Sequence, residues 1–170
     1  MTGSWPQAQI QAQPRLQAEA MHHTWRNLRV TRIEEESAAI RSFYLEPVDG
    51  AGLPLFQAGQ HLPIRLQLPG TSATLIRTYS LSSAPSDDCW RISVKREGTV
   101  SSYLHEHVTV GDLLEARAPQ GSFVVAADER RPLVLLAAGV GVTPLLSMLR
   151  EVVYQGQRIR RTRRTFFVQS

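Results

Sequence analysis

Apolar and polar residues alternate along the first part of the chain, which is typical of strands that bury one face. The alternation runs through "NLRVTRI", "AIRSFYLEP" and "WRISVKR". In "HLPIRLQL" it places Leu62, Ile64, Leu66 and Leu68 on the same face. Clusters of Gly, Pro, Asp and Ser separate these segments, and one brief helix is expected near "SSYLHEHV". Several short strands joined by polar turns predict a closed antiparallel barrel.

The pattern changes near residue 129. "PLVLLAA", residues 132–138, is a continuous apolar run, which is typical of a parallel strand covered on both faces. A helix is predicted in "LLSMLREVVYQG", where Leu145, Leu149 and Val152 recur at helical spacing, and a second apolar strand follows in "TFFVQS". This is one β-α-β unit. Because a lone unit of this kind leaves an open strand edge and an uncovered face, we expect the chain to be a fragment of a longer protein.

Composition sets the class of protein. The 170 residues, of which 42% are hydrophobic, suffice for one domain or one domain and part of another. No apolar run reaches the roughly 18 residues of a membrane span, and no secretory signal pattern begins the chain. The lone cysteine, Cys89, excludes an internal disulfide and a cysteine-ligated iron–sulfur cluster, and we expect it to be a small buried side chain. These features predict a soluble, cytoplasmic protein.

The positive charge is local. The net charge is +4, but "RIRRTRR", residues 158–164, holds five arginines, so the remainder sums to 4 − 5 = −1. Such a run binds phosphates in some proteins and is a solvated connection in others. Because neither interleaved aromatic residues nor a known reader motif accompanies it, we do not expect nucleic-acid binding.

The segment "LIRTYSLSSAP", residues 75–85, combines unusual side chains. Alternation in a strand places Arg77 and Tyr79 on one face and Thr78 and Ser80 on the other. A cation, a flat ring and two small hydroxyls just before a run of turn-forming residues are either ordinary surface residues or a site for a flat, anionic ligand.

In "AAGVGVTPLL" a predicted strand turns sharply into a helix. Gly139 and Gly141 lie in the turn, Thr143 is placed to cap the helix, and Pro144 suits its first turn. Free N–H groups at that helix start attract a diphosphate. A glycine turn without a ligand is the alternative, and the spacing lacks the third glycine of the common dinucleotide fingerprint.

"REGTVSSYLHEHV" contains a second candidate helix start. Gly98 opens a turn, and Ser101 or Ser102 is placed to cap a short helix that begins near Tyr103. The arrangement suits a phosphate, but by itself it is also that of a routine capped helix.

The remaining reactive side chains do not indicate a metal site or a hydrolase. His105 and His107 are two residues apart, so on a helix they point to different sides and cannot share a metal, and no metal site is expected. Nucleophile-elbow spacing is missing, so hydrolase chemistry has no support.

Taken in order, four motifs resemble the ferredoxin–NADP reductase superfamily, especially the reductase portions of flavohaemoglobins and of multidomain flavin-dependent electron-transfer chains. The motifs are "RTYS" (77–80), "GTVSSYL" (98–104), "GDLLEARAPQGSF" (111–123) and "AAGVGVTPLLSML" (137–149). The resemblance covers about residues 25 to 170. It implies a six-stranded antiparallel flavin-binding barrel in 25–128, followed by the truncated β-α-β start of a nicotinamide-nucleotide-binding domain in 129–170. Residues 1–24 are rich in Gln and Ala and show little periodicity, so they are predicted to be a flexible tail or linker.

The resemblance also implies residue roles. Arg77 would neutralise the diphosphate of the flavin, and Tyr79 would pack against the isoalloxazine ring or ribityl chain. Ser80 would hydrogen-bond near flavin N5, where a hydride is received, which makes Tyr79 and Ser80 the expected catalytic residues. Thr78 shares their strand. His61 follows the G-Q of "AGQH", where an aromatic residue often flanks the flavin, so a histidine departs in type but stays planar.

Two further sets complete the implied site. Residues expected along the phosphate and ribityl path are Lys95, Gly98, Val100, Ser101 and Ser102. Residues expected to meet the nicotinamide nucleotide are Gly139, Gly141, Thr143 and Pro144.

The function implied is a flavin-dependent oxidoreductase module that passes electrons from NAD(P)H through FAD, rather than FMN, to a one-electron acceptor. Hydride transfer needs the two rings stacked at roughly 3 to 3.5 Å. The acceptor would be an iron–sulfur or haem domain outside this chain, and by itself the fragment would bind nicotinamide weakly. A flavin-binding or electron-relay module that no longer uses nicotinamide is the alternative, and a basic-tailed nucleic-acid binder is the second. The choice between NADH and NADPH stays open, because the discriminating residues usually follow the second strand of the nicotinamide domain.

Overall fold

The computed structural model describes residues 24–126 and 129–170, so the predicted glutamine-rich tail lies almost entirely outside the described residues. The first part contains six strands and one helix. They are β1 (Arg26–Ser37), β2 (Ile40–Pro47), β3 (His61–Gln67), β4 (Thr74–Ser80), β5 (Trp90–Lys95), α1 (Thr99–His107) and β6 (Leu113–Ala116). The second part comprises β7 (Leu133–Ala137), a 3₁₀ turn (Gly139–Gly141), α2 (Val142–Arg158) and β8 (Thr165–Gln169).

The six strands form one antiparallel sheet in the order β4-β3-β6-β1-β2-β5, so the predicted strands are confirmed. The sheet curls around a core that includes Leu28, Phe43 and Ile92, each fully buried. On β3 the predicted inner face is confirmed at Leu62 and Ile64, which are also fully buried. Alternation therefore decides which side of each strand faces the core.

The barrel is not closed by a continuous ladder, so the prediction of full closure is wrong. Its two edge strands, β4 and β5, meet through the isolated bridge between Leu81 and Ile92 and a 2.7 Å hydrogen bond from Ser82 N to Arg91 O. After Leu81 the chain forms a hairpin that leads back to β5, and in its turn the Asp87 carboxylate accepts a 2.8 Å hydrogen bond from the backbone N–H of Ala84. On the other side of the bridge β4 and β5 are the two outer strands of the sheet and are not paired, so a gap remains between them.

The predicted β-α-β unit is confirmed. β7 and β8 are parallel, and α2 packs against one face of the pair in a small core that contains Leu135, Leu145 and Met148. The prediction that this strand is covered on both faces is wrong, because Val134 and Leu136 are 55% and 70% exposed. Alternate residues of a strand point to opposite faces, and the core formed with α2 covers the face of Leu135 and Ala137 while Val134 and Leu136 point away from it.

The arginine run connects α2 to β8. Arg163 is nearly buried, donates hydrogen bonds to the carbonyls of Arg131 and Ala126 and pairs with Glu129. This part of the run thus holds the unit together rather than presenting charge to solvent. No helix in the described part of the chain combines the length and apolar character needed to cross a membrane.

Candidate functional site

A cavity of about 440 Å³ opens in the gap between the edge strands β4 and β5. The start of α1 and the start of α2 complete its walls. Its lining residues are Arg77, Thr78, Tyr79, Ser80, Ser93, Lys95, Glu97, Gly98, Thr99, Val100, Ser101, Val140, Gly141, Thr143 and Pro144. Elements that are distant in sequence therefore converge at the place where the barrel is open.

Most of the site residues expected from the sequence lie around this one cavity, and three do not line it: His61, Ser102 and Gly139. Four lining residues were missed, namely Ser93, Glu97, Thr99 and Val140. Ser93 was predictable, because alternate residues of a strand share a face and Ser93 therefore lies on the same face as the expected site residue Lys95.

The free edge of β4 faces the cavity with backbone polar groups. In the register, His61 of β3 is opposite Ser80 and Pro63 is opposite Thr78. The backbone N–H and C=O of His61 pair at 2.9 Å with Gln120, and Pro63 O accepts from another N–H at 3.1 Å, so both β3 residues are bonded away from β4. In an antiparallel ladder, the groups of Thr78 and Ser80 therefore point to the free edge. They offer donors and acceptors to a planar heterocycle.

The side chains of β4 alternate as predicted. Tyr79 is opposite Leu62 and Arg77 is opposite Ile64, which places both on the core side of the strand. Tyr79 is half-buried against the barrel core, and burial raises the pKa of its phenol above the ordinary value, which the nearby Arg77 charge partly offsets. Its ring is thus neutral and available for stacking.

Arg77 is exposed at the mouth of the cavity. One of its guanidinium nitrogens, Nη1, donates a 2.8 Å hydrogen bond to the carbonyl of the preceding Ile76. The fork of a guanidinium carries further N–H donors, which suits a phosphate or diphosphate. The other cation of the cavity, Lys95, is paired with Glu97, so Arg77 is the better placed to meet an anion.

Helix α1 begins at Thr99, four residues before the predicted start near Tyr103. Gly98 is the N-cap, and Ser101 lies in the first turn rather than at the cap. The Ser101 hydroxyl accepts hydrogen bonds from the backbone N–H groups of Glu97 (3.0 Å) and Gly98 (2.9 Å). Capping from within the turn lets the helix start earlier than a serine N-cap would.

The start of α1 can receive an anion. Its first intrahelical hydrogen bond, from Ser102 N to Gly98 O, is 2.8 Å long, which leaves the N–H groups of Thr99, Val100 and Ser101 without an intrahelical acceptor. The first turn carries no acidic residue. A Cβ added to Gly98 would meet nothing within 4 Å, so a ligand can approach the backbone there.

The start of α2 forms the opposite wall. The sharp turn from β7 gives Gly139 a φ of +52°, which favours glycine. Thr143 is at the second helical position and donates a 3.0 Å hydrogen bond to Val140 O, so the prediction that it caps the helix is wrong. The cap is Gly141, whose N–H donates a 3.1 Å hydrogen bond to Ala138 O, and the N–H of Val142 bonds back to Gly139 O. The expectation of free N–H groups at this helix start is therefore wrong for these two residues, and the turn offers the cavity a glycine backbone instead.

The three histidines of the described residues, His61, His105 and His107, lie outside the cavity wall. A Cβ on Gly121 would come within 2.9 Å of His61 Nδ1, so the His61 ring packs against Gly121 although it neighbours Ser80. His105 is buried with Nε2 2.8 Å from Val94 O, whereas His107 is exposed. The two residues point to different sides, as predicted.

Cys89 is half-buried in the turn before β5. Burial, with the nearby Glu46 carboxylate, raises the pKa of its thiol. A raised pKa disfavours the reactive thiolate, although the side chain is less buried than predicted.

Comparison with known proteins identifies the family. Residues 27–125 match the model of the "Oxidoreductase FAD-binding domain". The chain belongs to this family. A flavohemoprotein of Bacillus subtilis (strain 168) is 46% identical over 140 residues, which is 81% of this chain and 35% of that protein. The chain thus spans about a third of the length of this curated relative.

Two solved structures show the same fold. The flavohem-like FAD/NAD binding domain of nitric oxide dioxygenase from Vibrio cholerae is 37% identical with a TM-score of 0.78, covering 85% of this chain and 61% of that one. Phthalate dioxygenase reductase is 29% identical with a TM-score of 0.70, covering 85% of this chain and 44% of that one. The six-stranded antiparallel sheet, followed by a helix and a small parallel sheet, is therefore the fold of ferredoxin–NADP reductase-type proteins.

Proposed function

We propose that the chain binds FAD in the cavity between β4 and β5 and passes electrons from NAD(P)H through FAD to a one-electron acceptor. The observation that carries the proposal is the placement of Tyr79, Arg77 and the start of α1 around one opening of the barrel. A flat ring, a cation and free amide groups are what a tricyclic ring with an anionic tail requires. The family match over residues 27–125 supports it.

Each wall of the cavity has a role. Tyr79 provides a neutral stacking surface, and the backbone edge at Ser80 and Thr78 hydrogen-bonds the polar rim of the ring. Arg77 and the amide groups that follow Gly98 hold the diphosphate. FAD, when bound, supplies the hydride acceptor and divides an electron pair into single electrons.

The start of α2 would hold the nicotinamide nucleotide. Gly141, Thr143 and Pro144 line the same cavity as Tyr79 and Ser80, so a nucleotide bound there is brought to the flavin rather than to a separate site. Binding both partners in one opening supplies the orientation that hydride transfer needs. Residues 25–128 and 129–170 would then be the flavin-binding and nicotinamide-binding portions.

The acceptor is proposed from the relatives. The Bacillus subtilis relative is named a flavohemoprotein, and phthalate dioxygenase reductase is described as a modular structure for electron transfer from pyridine nucleotides to 2Fe-2S. A haem or iron–sulfur group is therefore the acceptor class that we assign to the full activity. We place that activity in the cytoplasm.

The purified chain tests the proposal. We expect it to be yellow, with the absorption spectrum of oxidised flavin, and to bleach anaerobically on addition of NADH or NADPH. A colourless protein that takes up no FAD would contradict the proposal. A yellow protein that neither nucleotide bleaches would indicate a flavin-binding module that does not use nicotinamide.

A further inference from the structure

A line of hydroxyl groups leads from the cavity to the protein surface. Ser93 lines the cavity on β5, and its Oγ is 2.7 Å from Oγ of Ser42, which is fully buried on the neighbouring strand β2. Ser42 Oγ in turn donates a 2.7 Å hydrogen bond to Glu36 Oε1. The Glu36 side chain, near the end of β1, is 36% exposed. The line is therefore continuous from the cavity wall to solvent.

The inner end of this line faces Ser80. Leu81 and Ile92 form the antiparallel bridge between the two edge strands. One step outward along that register, Ser80 is opposite Ser93, and alternation turns both side chains away from the buried Leu81 and Ile92. Ser93 thus lies across the gap from the residue proposed to meet the reactive edge of the flavin.

On the basis of the function proposed above, we propose that Ser93 and Ser42 carry a proton from the cavity to Glu36, which releases it to water. A hydride brings two electrons and one proton into the cavity, and the electrons leave singly to the acceptor. The proton that stays behind has to leave the cavity, and Ser93 and Ser42 form a hydrogen-bonded path through a wall that is otherwise buried.

The transfer balances without any other reactant. Ser93 Oγ accepts the proton from the group in the cavity and gives its own hydroxyl proton to Ser42 Oγ. Ser42 then gives its hydroxyl proton to Glu36 Oε1. Each serine oxygen forms one O–H bond and breaks one, no electron moves along the line, and rotation of the hydroxyls restores it.

The charges around Glu36 suit this role. The hydrogen bond from Ser42 is the main cause that lowers the pKa of Glu36, and the ion pair with Arg91 and the charge of Arg150 on α2 act in the same direction, against the effect of burial. Glu36 is therefore ionised at neutral pH, with Oε1 as the acceptor at the end of the line, and its lowered pKa favours release of a proton to water over its retention.

The network contains its own control. Ser82 is fully buried and its Oγ is 2.9 Å from Ser93 Oγ, so it belongs to the same cluster. Ser82 does not lie between Ser93 and Glu36, however. Removing its hydroxyl changes the packing of the cluster and leaves the route intact.

A first measurement needs no flavin. We expect the pKa of Glu36 to be higher in the Ser42→Ala variant, because the substitution removes the main hydrogen bond that lowers this pKa. Carboxyl NMR of the flavin-free protein, labelled at glutamate, measures the change. Ser82→Ala should leave that pKa unchanged. An unchanged pKa in Ser42→Ala would show that the line is not formed and would overturn the relay.

The second measurement follows proton release. The flavin-loaded, reduced wild-type, Ser42→Ala, Glu36→Gln and Ser82→Ala proteins are mixed with ferricyanide in weak buffer containing a pH-indicator dye. We expect release to slow by about 10²-fold in Ser42→Ala and Glu36→Gln and to stay at the wild-type rate in Ser82→Ala, with flavin affinity unchanged in all three. Glu36→Gln, at the exposed end, keeps the test decisive should Ser42→Ala fail to fold.

The outcomes separate the two proposals. Equal release rates in all four flavin-loaded proteins would overturn the relay and leave the proposed function standing. Failure of the wild-type chain to bind flavin would contradict the proposed function first, and the relay with it.

Discussion

Leu81 and Ile92, both fully buried, form an isolated antiparallel bridge at one end of the gap between the edge strands. Beyond this bridge β4 and β5 separate, and the cavity occupies the space between them. The two side chains therefore fix where the barrel stops closing and where the candidate site begins.

Truncating this contact should weaken the whole barrel. We expect Leu81→Ala to lower the free energy of unfolding by about 2–5 kcal/mol, because it leaves a cavity in the core. Urea denaturation followed by circular dichroism measures the change. Leu55→Ala, at a position 92% exposed, is the matched control and should change stability by less than about 0.5 kcal/mol. Equal changes in the free energy of unfolding in the two variants would show that the Leu81 contact does not stabilise the barrel.

Arg77→Ala should weaken binding of the diphosphate of FAD and leave binding of the flavin ring unchanged. Loss of a charge-assisted hydrogen bond costs about 1.5–3 kcal/mol, so the affinity for FAD should fall by about 10- to 100-fold. Riboflavin, which has no phosphate, should bind both proteins equally in a fluorescence titration. Arg29→Ala, an exposed arginine that donates to Gly111 O, controls for loss of one positive charge. Wild-type FAD retention by Arg77→Ala would contradict the assignment of the diphosphate to this residue.

Two glycines should respond differently to alanine. A Cβ on Gly98 meets nothing within 4 Å and extends into the cavity, so Gly98→Ala should weaken FAD binding while changing stability by less than about 1 kcal/mol. Gly59 has a φ of +106°, and its added Cβ would overlap the Phe123 carbonyl and Met148 Cε. Gly59→Ala should therefore lower stability by about 1–3 kcal/mol or more. Thermal denaturation measures the stability of both variants, and titration with FAD measures their affinity. Unchanged FAD affinity in Gly98→Ala would show that the ligand does not approach the Gly98 backbone.

Burial of Tyr79 predicts a pH dependence. The pKa of its phenol is raised from the ordinary 10.0, so above that value the unfolded chain loses this proton before the folded protein does. The stabilising contribution is complete below pH 10.0 and is lost as pH rises through the folded pKa. Stability from urea denaturation should thus fall less steeply with alkaline pH in Tyr79→Phe than in the wild type. Identical slopes would mean that the phenol is not buried.

The strands were predictable because one buried face imposes a period of two on the residues. The β1–β2 pair and the inner face of β3 follow directly from that period. The gap was not predictable in this way, since alternation specifies faces and not whether two edges meet. Where the pairing stops is set by the isolated bridge between Leu81 and Ile92, and that depends on backbone geometry rather than on hydrophobic pattern.

The candidate site shows the same division. The motif around Tyr79 and Arg77 was visible because its residue types are unusual in a strand. The sequence predictions misplaced both helix starts because the N-cap residues are glycines, Gly98 and Gly141. Glycine has no side chain that caps a helix, so neither position carries a capping signal in the sequence. Ser42 carries no motif and enters only through its contact with Ser93.

The walls of the cavity come from two edge strands and two helix starts that are far apart along the chain. A molecule held between them would join β4 to the beginning of α2, which are otherwise connected through distant segments. Occupancy should therefore slow amide deuterium uptake in both places together, by the same factor at any given ligand concentration. Slower deuterium uptake in only one of these two places would show that the molecule binds to that wall alone.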